Sequence, residues 1–157
     1  MTAYLALKYL HVIGAAVLLG TGAGIAFFML LAHLRGEAAI VAGVARIVVI
    51  ADFAFTATAV IAQPITGALL AHRVGYSLWE GWIFWSIVLY VIAGAFWLPV
   101  VWMQLRMRDL AQQAVLGNQP LPARYHRLFR LWLACGFPAF GAVLGIFWLM
   151  IAKPAIG

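Results

Sequence analysis

Residues 12–31 read VIGAAVLLGTGAGIAFFMLL, an apolar run relieved only by small residues, and it ends at Ala32-His33-Leu34-Arg35. A helix needs about 20 such residues to cross the roughly 30 Å hydrocarbon core of a bilayer. A secretory signal has a shorter apolar core, about 7–15 residues, closed by a small-residue cleavage site. This run is longer and stops at a histidine and an arginine, so it reads as a retained span over about 4–32. Three further runs follow. The second covers about 47–71 and stops at His72-Arg73-Val74-Gly75. The third covers about 80–103 and continues as a polar helix through Arg106, Arg108, Asp109 and Gln113. The fourth covers about 128–152 and closes at Lys153-Pro154. The clearest loop is Gly117-Asn118-Gln119-Pro120-Leu121-Pro122, dense in the residues that interrupt helices. The expected fold is all-α, a four-helix transmembrane bundle in a single integral membrane domain over 1–157.

Composition agrees. Of 157 residues, 67% are hydrophobic and 9% charged, against about half and about a quarter in soluble domains. The formal charge of +6 would suggest nucleic acid in a soluble chain. Here the basic residues crowd the ends of apolar runs, which is topology and not nucleic-acid binding. Four spans put both termini and the 72–79 connection on one side, with Lys8, Arg73 and Lys153. The other side holds Arg35, Arg46, Arg106, Arg108, Arg124, Arg127 and Arg130. Basic loops stay in the cytoplasm, so the expectation is a bacterial inner-membrane protein with both termini periplasmic. Trp79, Trp82, Trp97, Trp102, Trp132 and Trp148 lie near span ends, where aromatic anchors belong.

Helices in lipid associate by close backbone approach, which glycine permits. Gly20-x-x-x-Gly24 and Gly141-x-x-x-Gly145 are the expected contact faces. Pro64 and Pro138 sit inside spans, where each removes an N–H and frees a carbonyl one turn back. The lone Cys135 excludes an intramolecular disulfide, and no G-x-x-x-x-G-K-[ST], H-E-x-x-H or C-x-x-C occurs.

An ionisable group inside a span is costly and so a candidate for function. Lys8 and His11 share a helical face, and the small residues Gly14, Ala15 and Gly22 extend the face of His11. That arrangement suits a flat macrocycle, with His11 as axial metal ligand, or else a histidine hydrogen-bonded to a neighbouring helix. Gln63 and Thr66 flank Pro64 at the depth of His11, fit for a ligand or for the carbonyl that Pro64 frees. Trp82 belongs to an aromatic outer face with Tyr76, Trp79 and Trp85. The candidate cofactor-binding residues are His11, Lys8, Gln63, Thr66 and Trp82. Asp52 is expected to pair with Arg46 or a loop arginine. Glu80 and His72 read as interfacial, and Arg124, Arg127 and Arg130 as a basic stripe facing headgroups.

The stretches Gln63-Pro64-Ile65-Thr66-Gly67, Trp97-Leu98-Pro99-Val100-Val101 with Gln104, and Met150-Ile151-Ala152-Lys153-Pro154 resemble a bacterial family of small integral membrane proteins without assigned function. That resemblance spans essentially the whole chain. A looser one, in layout, is to the HemJ family, whose members bind haem b and oxidise protoporphyrinogen IX. Lys8-x-x-His11, His33, the Tyr125–Arg130 segment and Lys153-Pro154 correspond to that layout. The lysine and histidine that HemJ proteins carry in their third span have no counterpart between Trp82 and Met103. The HemJ resemblance implies a b-type haem or porphyrin-binding redox protein. The alternative is a non-enzymatic accessory subunit, packed in a homo-oligomer or a larger membrane complex. A small transporter has the least support, since no inverted repeat is present.

Overall fold

The computed structural model describes residues 2–155. Each of the four apolar runs is helical. Helix α1 (Thr2–Arg35) stops where Gly36 turns left-handed, at φ +73°, and donates its N–H to His33 O at 3.1 Å. Glycine takes that conformation without a Cβ penalty. Helix α2 (Ala38–Ala51) begins two residues later, so Arg46 sits on a helix that starts ahead of the expected 47–71 span. A π-helical turn (Asp52–Thr56) joins α2 to α3 (Ala57–Val74), and the three make one rod. Gly75, at φ +83°, ends α3. Helix α4 (Gly81–Leu116) runs on through the polar segment, as expected, and α5 (Ala123–Ala152) completes the bundle.

At 1.5 Å per residue the 34 residues of α1 extend about 51 Å and the 36 of α4 about 54 Å. Both exceed the roughly 30 Å hydrocarbon core, so their ends project from it. Among the described residues four helices are long and apolar enough to span a membrane. Large apolar side chains such as Phe27, Ile47, Ile61, Leu98 and Trp148 are exposed, which only a lipid surround makes favourable.

Packing is uneven along the bundle. α5 lies on α4, α4 on α2, and α1 on α2 and α3, whereas α1 and α5 barely touch. The core gathers Met29 from α1, Val41 and Ala45 from α2, Met103 and Met107 from α4, and Tyr125, Phe129 and Trp132 from α5. These residues fill the end that carries the 36–37 and 117–122 connections. Toward the termini the helices diverge.

The glycine pairs behave differently from each other. A Cβ at Gly145 would come 2.9 Å from Leu89 Cδ1, so α5 and α4 do approach there. A Cβ at Gly20 or Gly141 would meet nothing within 4 Å, and at Gly24 only Phe28 of the same helix. Gly20-x-x-x-Gly24 is therefore not a contact face within the chain, contrary to expectation. Proline chemistry is resolved in an unexpected way too. Pro64 leaves Val60 O without its helical donor, and the Tyr90 hydroxyl of α4 donates to that oxygen, a task that one of the two readings of Gln63 and Thr66 gave to them.

Candidate ligand-binding cavity

Two polar groupings lie within the bundle. The first is a seam between α1 and α3. Thr66 Oγ1 donates to Ala62 O at 2.8 Å, so it accepts from His11 Nδ1–H, also at 2.8 Å. In the neutral ring that pairing suits the tautomer with its proton on Nδ1. Gln63 Nε2 donates to His11 O at 2.9 Å. Small residues make this approach possible. A Cβ at Gly14 would overlap Gln63 Nε2, and one at Gly67 would lie 3.2 Å from His11 Cε1. His11, Gln63 and Thr66 thus meet as their shared depth suggested. Lys8 and Trp82 do not join them. Lys8 is exposed, its Nζ 6.0 Å from the centre of the Tyr4 ring. Trp82 packs edge-on against Tyr76 at 5.5 Å, and Lys153 Nζ lies 5.5 Å from each of those rings.

The second grouping is the polar floor of a cavity of about 330 Å³. Its walls are Leu18, Gly22 and Ala26 of α1, Val60, Tyr90 and Gly94 of α3 and α4, and Phe137, Phe140 and Phe147 of α5. The cavity exists because α1 and α5 diverge above the packed end. A Cβ at Gly22, Gly94 or Gly136 would enter open space.

The floor is built on the π-helical turn. Its i→i+5 bond, Ala57 N–H to Asp52 O, widens the helix, and Asp52 and Thr56 are both buried there. Such turns recur at functional sites. Asp52 Oδ1 accepts from Trp97 Nε1 at 3.4 Å. The Gln104 amide is oriented by its neighbours. Nε2 donates to Asp52 Oδ2 at 3.0 Å, and Oε1 accepts from Trp132 Nε1 at 3.3 Å. The opposite orientation would set donor against donor. Thr56 Oγ1 is buried and unpartnered. Asp52 therefore faces amides and indoles, not Arg46 or a loop arginine. Among the described residues the only salt bridge is Arg108–Asp109, at 2.7 Å.

Trp97 and Trp132, expected as interfacial anchors, turn inward to this network. Trp79, Trp102 and Trp148 remain exposed, in keeping with an anchoring role. Sequence reasoning assigned no site role to Trp97, Gln104 and Trp132. One signal was available: Trp97 and Gln104 are seven residues apart, two turns on one face of α4, facing the span that carries Asp52.

A third cluster lies at the loop end. His33 stacks on Phe129 with ring centroids 3.7 Å apart and planes within 5°, and His126 stands edge-on to it at 5.5 Å. His33 Nδ1 and the Tyr125 hydroxyl are buried without partners. Arg124, Arg127 and Arg130 are exposed. No group of three or more His, Cys, Asp or Glu able to hold a metal occurs among the described residues.

Residues 5–154, nearly the whole chain, match the family described as "Predicted integral membrane protein (DUF2269)". The chain belongs to that family. Its description agrees with the four spans and with the fold expected from the apolar runs. No curated protein and no solved structure matches the chain.

A haem iron takes His, Cys, Met or Tyr ligands. Among the described residues the cavity wall carries no His, Cys or Met, and its Tyr90 is engaged with Val60 O. His11 lies on the α1–α3 seam, off that wall. The residues present do not fit a haem seated in the cavity.

Proposed function

We propose that this integral membrane protein binds a lipid-soluble amphiphile in the cavity between α1, α4 and α5. The apolar body lies against Leu18, Phe137 and Phe140, and the polar end reaches Asp52 and Gln104. The supporting observation is the buried Asp52–Gln104–Trp97–Trp132 network at the floor of an otherwise apolar cavity. A polar group within the bilayer is costly, so a satisfied network bordering open space suits recognition better than packing. The volume of about 330 Å³ falls at the lower end of the range for small-molecule sites, about 300–1,000 Å³. The slight contact between α1 and α5 suits lateral entry from lipid. On the arginine distribution, the loop end faces the cytoplasm of a bacterial inner membrane and both termini face outward.

The test uses the protein labelled with ¹⁵N at tryptophan and held in nanodiscs. Added dodecanol should shift the Trp97 and Trp132 indole N–H resonances in wild type and leave them unmoved in Gly94→Leu, whose side chain projects into the cavity and obstructs it. Indoles unmoved in wild type would refute the proposal. A visible spectrum of the same protein, made with haem supplied, separates the porphyrin reading. A Soret band lost in His11→Ala would place a haem at the α1–α3 seam, outside the cavity.

A second reading has its own observation. Gly20 and Gly141 present small-residue faces that nothing in the chain covers, as an accessory subunit or homo-oligomer would. Cross-linking through cysteines placed beside Gly20 would capture that partner.

A further inference from the structure

We infer that the cavity selects amphiphiles with a cationic polar end, a lipophilic amine or quaternary ammonium. The inference rests on the cavity being a binding site and adds the class of ligand. Asp52 is the one charged residue on the described wall, with no lysine or arginine beside it. An ionised carboxylate offers about four acceptor positions. Trp97 and Gln104 fill two of them with neutral N–H donors. Those bonds orient the group, but no base matches a charge there, so the carboxyl ionises in step with a cation that binds beside it. Coulomb attraction is strong where the dielectric is low, so a ligand bringing positive charge gains most at this spot.

The rest of the wall points the same way. Trp97, Trp132, Tyr90, Phe137 and Phe140 line the cavity with aromatic rings, the side chains that attract organic cations. An anionic head group would meet Asp52 with no compensating base. A neutral alcohol could exchange one hydrogen bond with the carboxyl and bring no charge to it. The apolar walls accept any tail, so the discrimination belongs to the head group alone.

Three amphiphiles with one tail test this: dodecyltrimethylammonium, dodecanol and dodecyl sulfate, each titrated into the protein in nanodiscs with the Trp97 and Trp132 indole resonances as readout. The cation should bind at least about tenfold more tightly than the alcohol, a modest share of the attraction between opposite charges where the dielectric is low. The sulfate should bind most weakly. Asp52→Asn keeps the side-chain volume and an acceptor for Trp97. It should bring the cation down to the affinity of dodecanol while dodecanol binding persists, which also shows that the variant is folded. Equal affinities for cation and alcohol in wild type would overturn the inference and leave the cavity as a site. So would a preference that survives in Asp52→Asn. Indoles unmoved by all three would overturn the cavity reading itself. If Asp52→Asn does not fold, the head-group series on wild type alone decides.

Discussion

Replacing Gly14 with alanine probes the α1–α3 seam at its tightest point. The added Cβ would overlap Gln63 Nε2, so the amide must swing away and release His11 O. A buried polar group left unpaired costs about 1–3 kcal/mol. Measured interhelical hydrogen bonds in membranes average about 0.6 and reach about 1.7 kcal/mol. Alanine in place of glycine returns up to about 1 kcal/mol through helix propensity. These terms oppose each other, so the single-mutant cost is a poor test and the coupling is a good one. In a Gln63→Ala background nothing remains to collide, and Gly14→Ala should be neutral or stabilising. The double-mutant cycle should therefore show a coupling of about 1–2 kcal/mol. Equilibrium unfolding in mixed micelles at rising SDS fraction, followed by tryptophan fluorescence, measures all four corners. Additivity within about 0.5 kcal/mol would refute the argument, because distant, independent sites give that result.

Three other outcomes follow from the same unfolding assay. Thr66→Val removes the acceptor for His11 Nδ1–H and should cost about 1 kcal/mol. Gly20→Ala adds a methyl that meets nothing in the chain, and should leave monomer stability within about 0.5 kcal/mol of wild type. Tyr125→Phe deletes a buried hydroxyl that has no partner, so stability should hold or rise by up to about 1 kcal/mol; a loss of that size would mean the hydroxyl is satisfied.

The spans were legible because lipid imposes a simple requirement on composition and length, and VIGAAVLLGTGAGIAFFMLL meets it without help from tertiary structure. The meeting of His11, Gln63 and Thr66 was legible as well, because helices of known rise place residues at calculable depths. What stayed hidden depends on helix rotation and partner choice. Trp97 and Trp132 sit near span ends, where position alone recommends an interfacial role, and only the facing helices show that their N–H groups turn inward. Asp52 has Arg46 close in sequence, yet the π-helical turn points the carboxylate across the bundle to α4 instead. Pro64 plainly frees a carbonyl, but the hydroxyl that claims it lies 30 residues on, at Tyr90, within the next span. The glycine pairs carry the same lesson in reverse, since one pattern gives a contact at Gly145 and open space at Gly20.

The most direct test of the central claim is native mass spectrometry of the purified protein supplied with dodecyltrimethylammonium. One bound amphiphile per chain in wild type, and none in Gly94→Leu, is the predicted result. Equal retention by both proteins would place the amphiphile outside the cavity and contradict the account.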